Sequence, residues 1–312
     1  MLTTEIPVEE RRRQGVSALA PGGRPGWIGR APLILLPFLA IALGASLRPW
    51  IFMWLLAAAI YAGCKWLTWW QAKIAGFAAG NRKRSAAYLL FWPGMDPREF
   101  FDNTCAKRHV RASECLVATA KTLAGATLMG AGARVISSGH PMLGGWAGMI
   151  GLVLFLHFGT FHLVALAWQG VGLGVRPIMQ KPLLSRSLSE LWGKRWNVGF
   201  RALSHMWVFQ PLQKRFGLMV ATMGAFLASG LLHDLVISVP ARAGYGLPTA
   251  YFLIQGLGVV VERSEAGRRF GLGGGARGWR WTALIAAGPA YGLLHPWFVM
   301  RVIDPFLRAV AG

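Results

Sequence analysis

The sequence predicts an all-α, polytopic integral membrane protein with about seven transmembrane helices and additional interfacial helices. Of the 312 residues, 54% are hydrophobic and only 14% are charged, whereas a soluble domain carries about a quarter charged residues. The 15 Trp and 40 Gly residues suit the same class, because Trp anchors helices at membrane interfaces and Gly allows transmembrane helices to approach closely. The third observation is that the cations are clustered between apolar stretches.

The chain begins with a basic arm, residues 1–31, which we expect to lie on the cytoplasmic side without a core of its own. The remainder, residues 32–312, is expected to form a single transmembrane domain. Apolar stretches suited to crossing a bilayer occur seven times along it. They are Pro32–Leu47, Trp50–Cys64, Cys115–Gly139, Met142–Gln169, Leu218–Pro240, Leu247–Val261 and Trp281–Met300.

The distribution of the 33 Lys and Arg residues predicts the orientation of these spans. The arm holds 5 of them, and the connections 65–114, 171–217 and 262–280 hold 9, 8 and 5. These segments lie on one side of the membrane, so the positive-inside rule predicts a cytoplasmic N-terminus and an outside C-terminus. Topology and attraction to anionic membrane lipids therefore explain the net charge of +21 without a nucleic-acid partner. Richness in Ala, Gly and Arg suggests a bacterial inner membrane.

Two of the connections carry recognisable helix signals. The aromatic and basic stretch 65–114 suits interfacial helices, and the prolines and glycine between Phe91 and Pro97 should interrupt any helix there. In the next connection, Ser187 and Glu190 predict a capping box at a helix start. On that helix Trp192 and Trp196 share one face, while Lys194 and Arg195 point elsewhere.

The most informative polar residues are His233 and Asp234, which lie inside a predicted span. Ionisable groups are costly in hydrocarbon, so the default reading of this pair is functional. Ser229 and Gly230, one turn earlier, are small and leave room beside the imidazole for a substrate. Asp234 lies about 100° round the helix from His233, so it is expected to pair with another helix. A buried histidine bonded to a carbonyl remains the alternative on these residues alone.

A metal site is not expected. Of the seven histidines, the only close pair is His157 and His162, and five residues on a helix place them about 140° apart. His205 and His295 are read as interhelical hydrogen-bonding groups and stay outside the catalytic set.

Two linked motifs resemble a known family. The segment 187–197, SLSELWGKRWN, resembles the S-L-x-[DE]-F-W-G-[RK]-R-W-N signature of the wax-synthase-like branch of the membrane-bound O-acyltransferase (MBOAT) family, with Leu191 in place of Phe. The segment 226–234, FLASGLLHD, is similar to the second signature, F-x-x-S-G-[LM]-x-H-[DE]. The resemblance covers roughly residues 183–306, and the N-terminal half matches only in hydropathy.

The resemblance implies an acyl-CoA-dependent O-acyltransferase with His233 as the catalytic residue and Asn197 as its polar companion. It implies transfer to a hydroxyl-bearing lipid, a long-chain alcohol in wax ester synthesis, with acyl-CoA as cosubstrate and no other cofactor. Asn197 is expected either to bind the oxyanion or to orient His233. Two alternatives remain: an acceptor that is a sugar, glycan or secondary metabolite, and a proton-coupled transporter.

The remaining site predictions concern substrate binding. Trp192 and Trp196 are expected to line or support the acyl channel, with interfacial anchoring as a compatible role. Lys194, Arg195 and Arg201 are candidates to bind the CoA phosphates, although positive-inside topology explains the same charges equally well. Neither motif places a Ser or Cys as an acylated nucleophile, which favours direct transfer in a ternary complex.

Overall fold

A computed structural model describes residues 26–76, 78, 81–101 and 108–311. Of the predicted arm, residues 1–25 lie outside the described residues. Helices account for 81% of the structure, and the described residues contain no strand. The predicted all-α membrane class is thereby confirmed.

The helices follow one another with short connections. In chain order they are α1 (Trp27–Gly44), α2 (Pro49–Ile74), α3 (Arg82–Phe91), α4 (Pro97–Phe101), α5 (Ala112–Ser137), α6 (Pro141–Gly170), α7 (Leu188–Glu190), α8 (Val198–Ser204), α9 (Gln210–Ala241), α10 (Leu247–Arg263), α11 (Glu265–Arg269), α12 (Gly275–Ala287), α13 (Ala290–Leu293), α14 (Pro296–Phe298) and α15 (Asp304–Ala311). Four segments are π-helical: Leu154–Thr160 within α6, Leu191–Arg195 after α7, His205–Phe209 between α8 and α9, and Val299–Ile303 between α14 and α15.

Five of the described helical segments are long and apolar enough to cross a membrane: α1, α2, α5, α6 and the continuous run from α8 through α9. A sixth crossing is added if the segments Gly275–Leu293 and Pro296–Ala311, bent by 57° at their junction, form one broken span. The remaining predicted span coincides with α10, which has 17 residues. Six predicted spans thus each lie along one helical segment, and the seventh, Trp281–Met300, falls on the bent pair. The total of seven crossings stays a prediction.

The second span is longer than predicted. The expected span ends at Cys64, but α2 continues to Ile74. The Lys65 side chain is 1% exposed, and its ammonium donates to the Gly94 carbonyl at 2.6 Å and lies 3.3 Å from the centre of the Tyr88 ring. A carbonyl and an aromatic face replace water around this cation, so the helix can continue past it.

Two helix breaks lie beside boundaries that the sequence predicted. Helix α3 ends at Phe91, at the start of the predicted interruption. The run α8–α9 is broken at Gly217, whose φ of 84° and ψ of 178° are non-helical and are adopted by residues other than Gly only with strain. The part of α9 that follows begins at Leu218, as predicted.

Close helix packing depends on glycine, as the composition indicated. In the α5–α6 pair, a Cβ on Gly132 would lie 2.6 Å from the carbonyl oxygen of Gly144. The largest buried cluster is built around the C-terminal π segment and includes Val299, Val302 and Leu307. The C-terminal segment is therefore an integral part of the membrane domain.

Candidate active site

His233 lies in α9 with its imidazole free at one nitrogen. Its Nδ1 is 2.7 Å from the Ser229 carbonyl oxygen, one turn earlier. A carbonyl only accepts, so Nδ1 carries the proton and Nε2 of the neutral ring keeps its lone pair. The ring centre is 4.3 Å from that of Phe252 on α10, yet the residue remains exposed at the protein surface. A neutral imidazole whose second nitrogen has a free lone pair, on a residue that is exposed, can serve as a base.

The small residues before His233 have separate roles. Ser229 supplies the carbonyl that fixes the tautomer of the ring. Gly230 is buried, and a Cβ there would lie 2.8 Å from the Cα of Thr249. Gly230 therefore sets the close approach of α9 to α10. Both residues therefore have a role within the protein. That they also bind substrate stays a prediction.

Asp234 pairs with another helix, as expected, and does so at the start of α10. Its Oδ2 accepts from the Thr249 hydroxyl at 2.5 Å and from the Thr249 N–H at 3.3 Å. Both carboxylate oxygens lie 3.0 Å from the Gly246 N–H, and Oδ1 accepts from the Ser238 hydroxyl at 2.7 Å. A carboxylate is well suited to the unpaired N–H groups of a helix N-terminus. Asp234 thus holds the two helices together beside His233.

The first motif begins with the predicted cap and then departs from a regular helix. The Ser187 hydroxyl accepts from the Glu190 N–H at 2.9 Å, whereas the Glu190 carboxylate accepts from Arg186 at 2.7 Å and not from Ser187. The hydrogen bond from the Arg186 N–H, followed by the hydrogen bond and charge of Arg195, lowers the pKa of the Glu190 carboxyl from its ordinary value of 4.5, against the opposing effect of burial. After Glu190 the chain forms the π segment Leu191–Arg195.

Aromatic rings connect the first motif to His233. The Trp192 ring centre lies 5.7 Å from that of Phe252, which in turn contacts the imidazole. Trp192 also contacts Trp196, with ring centres 6.2 Å apart, and Trp196 contacts Phe158 of the π segment in α6 at the same separation. A continuous aromatic path therefore leads from His233 to α6. The lining role of the two tryptophans stays a prediction.

Helix α10 positions the first motif as well as the second. The buried carboxylate of Glu262 accepts from the Leu188 N–H at 2.5 Å and from the Ser189 N–H at 3.3 Å. Gln255, fully buried, accepts from Trp192 Nε1 at 3.3 Å and donates to the Ile285 carbonyl at 2.7 Å. Both ends of α10 thus hold residues of the two motifs in place.

Asn197, the residue that precedes α8, has an unusual backbone conformation. Its φ of 40° and ψ of 60° lie in the left-handed region, which Asn tolerates better than most residues. Its Oδ1 caps α8 by accepting from the Phe200 N–H at 3.5 Å, a long hydrogen bond. Because the side-chain oxygen is the atom used in the cap, the side-chain NH₂ group takes no part in it and can donate elsewhere. The shared role of Asn197 and His233 stays a prediction.

The three predicted phosphate-binding cations differ in availability. Arg195 forms an ion pair with Glu190 at 2.7 Å and donates to the carbonyls of Gln180 and Lys181. Lys194 and Arg201 are exposed, and neither side chain has a hydrogen bond or ion pair with the residues that the structure describes. Arg195 therefore stabilises the motif, while Lys194 and Arg201 can reach a ligand.

Several site residues were missed in the sequence. They are Phe252, Gln255, Glu262 and Thr249, all on α10. A carboxylate and an amide in an apolar helix were a signal that could have been followed, because buried polar groups need partners. No pattern in the sequence identifies those partners. Among the described residues, no three His, Cys, Asp or Glu side chains are grouped as a metal site would require.

The region that contains both motifs is similar in sequence to known proteins. Residues 175–254 match the family model described as "Membrane bound O-acyl transferase family". Long-chain-alcohol O-fatty-acyltransferase of Simmondsia chinensis is 27% identical over 129 residues, which are 36% of this chain and 37% of the relative. Acyl-CoA--sterol O-acyltransferase 1 of Arabidopsis thaliana is 30% identical over 98 residues, 29% of this chain and 28% of the relative.

Another relative, probable long-chain-alcohol O-fatty-acyltransferase 1 of Arabidopsis thaliana, is 30% identical over 101 residues, 30% of each chain. The alignments thus span about a third of the length of these relatives. The matched region, residues 175–254, includes both motifs, Asn197, His233 and the start of α10. This region is similar to the membrane-bound O-acyltransferase family, and the relatives named as long-chain-alcohol O-fatty-acyltransferases place the similarity in its wax-synthase-like branch.

Proposed function

We propose that the protein is an acyl-CoA-dependent O-acyltransferase that esterifies a hydroxyl-bearing lipid, with a long-chain alcohol as the acceptor. The observation that carries the proposal is the state of His233, whose Nδ1 is held by Ser229 while Nε2 stays free. The ring contacts Phe252, the first of a series of aromatic rings that offers apolar surface beside the imidazole. The names of the relatives support the same reaction class.

In the proposed reaction, His233 Nε2 accepts the hydroxyl proton of the acceptor as its oxygen attacks the thioester carbonyl. The resulting tetrahedral intermediate collapses by breaking the carbon–sulfur bond, and the imidazolium returns the proton to the CoA thiolate. The products are an ester and free CoA, and atoms and charge balance. A general base of this kind contributes about 10²- to 10⁴-fold to the rate.

We propose that Asn197 stabilises the oxyanion of the intermediate. Its Oδ1 is used by the cap on α8, which leaves the amide N–H groups as donors. Removing one such donor costs about 10²- to 10³-fold in kcat in well-studied enzymes. The strained backbone of Asn197 supports a functional role, because left-handed non-Gly residues concentrate at active sites.

The aromatic path favours an apolar acceptor over a sugar. The rings of this path are Trp192, Trp196, Phe252 and Phe158, and the Trp192 N–H is already bonded to Gln255. A sugar would need several polar partners to replace its hydration. An alkyl chain needs only apolar surface, which these rings supply.

We also propose that the CoA end of the donor is bound from the cytoplasm by Lys194 and Arg201. Both are exposed and lie in the basic connection 171–217. This proposal includes the positive-inside orientation of the chain, with its N-terminus in the cytoplasm of a bacterial inner-membrane protein. It requires no metal or prosthetic group.

The test is acyl-CoA consumption and ester formation by the purified protein in lipid nanodiscs, with long-chain alcohols, sterols and sugars as acceptors. His233→Ala is expected to lower kcat by about 10²-fold or more. His140→Ala is the matched control, because His140 is exposed and makes no side-chain cap at the start of α6. Full activity of His233→Ala, or no ester with any hydroxyl acceptor, would refute the proposal. Proton-coupled uptake without ester formation would favour a transporter.

A further inference from the structure

His295 is a second histidine close to the active site, at the break between α13 and α14. It is fully buried, with 0% of its surface exposed. Its Nδ1 accepts from the Phe298 N–H at 3.1 Å and so caps α14. Because Nδ1 is the acceptor, the proton of the neutral ring is on Nε2.

The Nε2–H of His295 is directed at Ser238 on α9. The distance from Nε2 to Ser238 Oγ is 3.4 Å, the weakest link in the arrangement. The Ser238 hydroxyl has one hydrogen, and its nearest acceptor is Asp234 Oδ1 at 2.7 Å, closer than the Gly244 carbonyl at 3.2 Å. A hydroxyl that donates to a carboxylate is free to accept from an imidazole.

The backbone leaves space for the His295 ring at this point. A Cβ on Gly244 would lie 2.5 Å from Nε2, and Gly244 has a φ of 72°. Ser238 is itself fully buried. Buried polar groups in a connected chain fix one another's geometry when every member has a partner. Here the series of hydrogen bonds connects the C-terminal helices to the junction of α9 and α10.

We propose that His295 is a positioning residue for the reaction of His233. It acts through Ser238 and Asp234, which follows His233 directly and fixes the start of α10. That helix carries Phe252, the ring packed against the catalytic imidazole. The inference rests on the proposed function, and it assigns to the bent C-terminal helix pair a role in aligning the catalytic base.

Two substitutions separate the two hydrogen bonds of His295. Asn keeps an acceptor near the position of Nδ1, so it preserves the cap on α14 but cannot reach Ser238. Gln extends an N–H toward the position of Nε2, so it preserves the link to Ser238 but loses the cap. We expect His295→Asn to lower kcat about tenfold with KM changed less than about twofold, and His295→Gln to retain kcat within about threefold.

Ser238→Ala cuts the same link from the other side. It also removes the hydrogen bond from Ser238 to Asp234, so it is expected to lower kcat at least as much as His295→Asn does. Adding His295→Asn to it is expected to cause little further loss, because the connection to Asp234 is already broken. If His295→Asn is as active as the wild type, or if the Asn and Gln variants lose kcat equally, the positioning role is refuted. A purely structural role predicts the opposite order, because only Gln removes the cap.

Hydrogen exchange gives a readout that does not depend on the reaction. The amides of Gly246 and Thr249, which Asp234 binds, are expected to exchange at least about threefold faster in His295→Asn and Ser238→Ala than in His295→Gln. Unchanged exchange at these amides in all variants would overturn the proposal even if the wild type had no acyltransferase activity. Loss of activity in His233→Ala with unchanged kcat in His295→Asn would refute the positioning role and leave the proposed function intact.

Discussion

The contact between Gly230 and Thr249 provides the sharpest test of how helix packing sets the active site. In Gly230→Ala the new Cβ would lie 2.8 Å from the Thr249 Cα, about 0.6 Å short of the 3.4 Å at which ordinary van der Waals contact begins. The obstacle is backbone, so α9 and α10 must separate. His233 lies on one of these helices and Phe252 on the other.

The magnitude follows from two opposing effects. Overpacking costs about 1–3 kcal/mol, and replacing Gly by Ala within a helix contributes up to about 1 kcal/mol of stability. We expect Gly230→Ala to lower the free energy of unfolding by about 1–2 kcal/mol. Since a displacement of about 1 Å can cost about 10²-fold in rate, kcat is expected to fall about tenfold.

Gly224→Ala is the matched control on the same helix. Its Cβ would meet the Cδ1 atom of Leu212, the end of a side chain that can rotate away, so stability and kcat are expected to stay near wild-type values. The assays are thermal unfolding in detergent and ester formation under single-turnover conditions. Wild-type kcat in Gly230→Ala, or an equal loss in Gly224→Ala, would refute the reasoning. A rise in KM alone would favour the reading in which Gly230 leaves room for substrate.

Three further outcomes are expected. Glu262→Gln removes the charge that caps Leu188, and the free energy of unfolding should fall by about 1.5–3 kcal/mol; a change below about 0.5 kcal/mol in chemical denaturation would contradict the cap. Because the folded pKa of Glu190 is lowered from 4.5, its contribution to stability is present above about pH 4.5 and is lost as the pH falls through the folded pKa. In a Glu190→Gln variant, the free energy of unfolding should therefore fall less steeply than in the wild type between about pH 5 and about pH 3. Parallel pH dependences of the two proteins would contradict this. Trp192→Ala should lower kcat/KM at least about tenfold for long-chain acyl donors and less for short ones; equal losses across donor lengths would argue against a channel wall.

The sequence was sufficient for the membrane class and for the main positions of the helices, because hydropathy and charge depend on the solvent around each segment. The start of a span at Leu218 and the cap at Ser187 were also predicted, since hydropathy and the pair Ser187–Glu190 act locally, whereas the non-helical backbone of Gly217 was not. The end of α2 was misplaced because the partners of Lys65, Gly94 and Tyr88, are distant in sequence.

The candidate site was predicted in its residues more fully than in its geometry. Helical periodicity correctly separated Asp234 from His233, because side-chain direction follows from residue spacing. The π segment Leu191–Arg195 and the left-handed Asn197 were not predicted, since both depend on tertiary contacts that the local sequence does not encode. For the same reason, Arg195 was grouped with the phosphate-binding cations although its partners lie within the protein.

Helix α10 has a consequence for how this chain can be altered. Carboxylate hydrogen bonds fix both of its ends: Asp234 accepts from its first residues, and its own Glu262 accepts from the first motif. Inserting one residue between these two ends would rotate one attachment about 100° relative to the other. A chimaera that exchanges the first signature, the second signature or this helix separately would mismatch a buried acid with its backbone donors. Segment 187–263 is therefore the smallest unit to transplant when recombining this scaffold with its relatives.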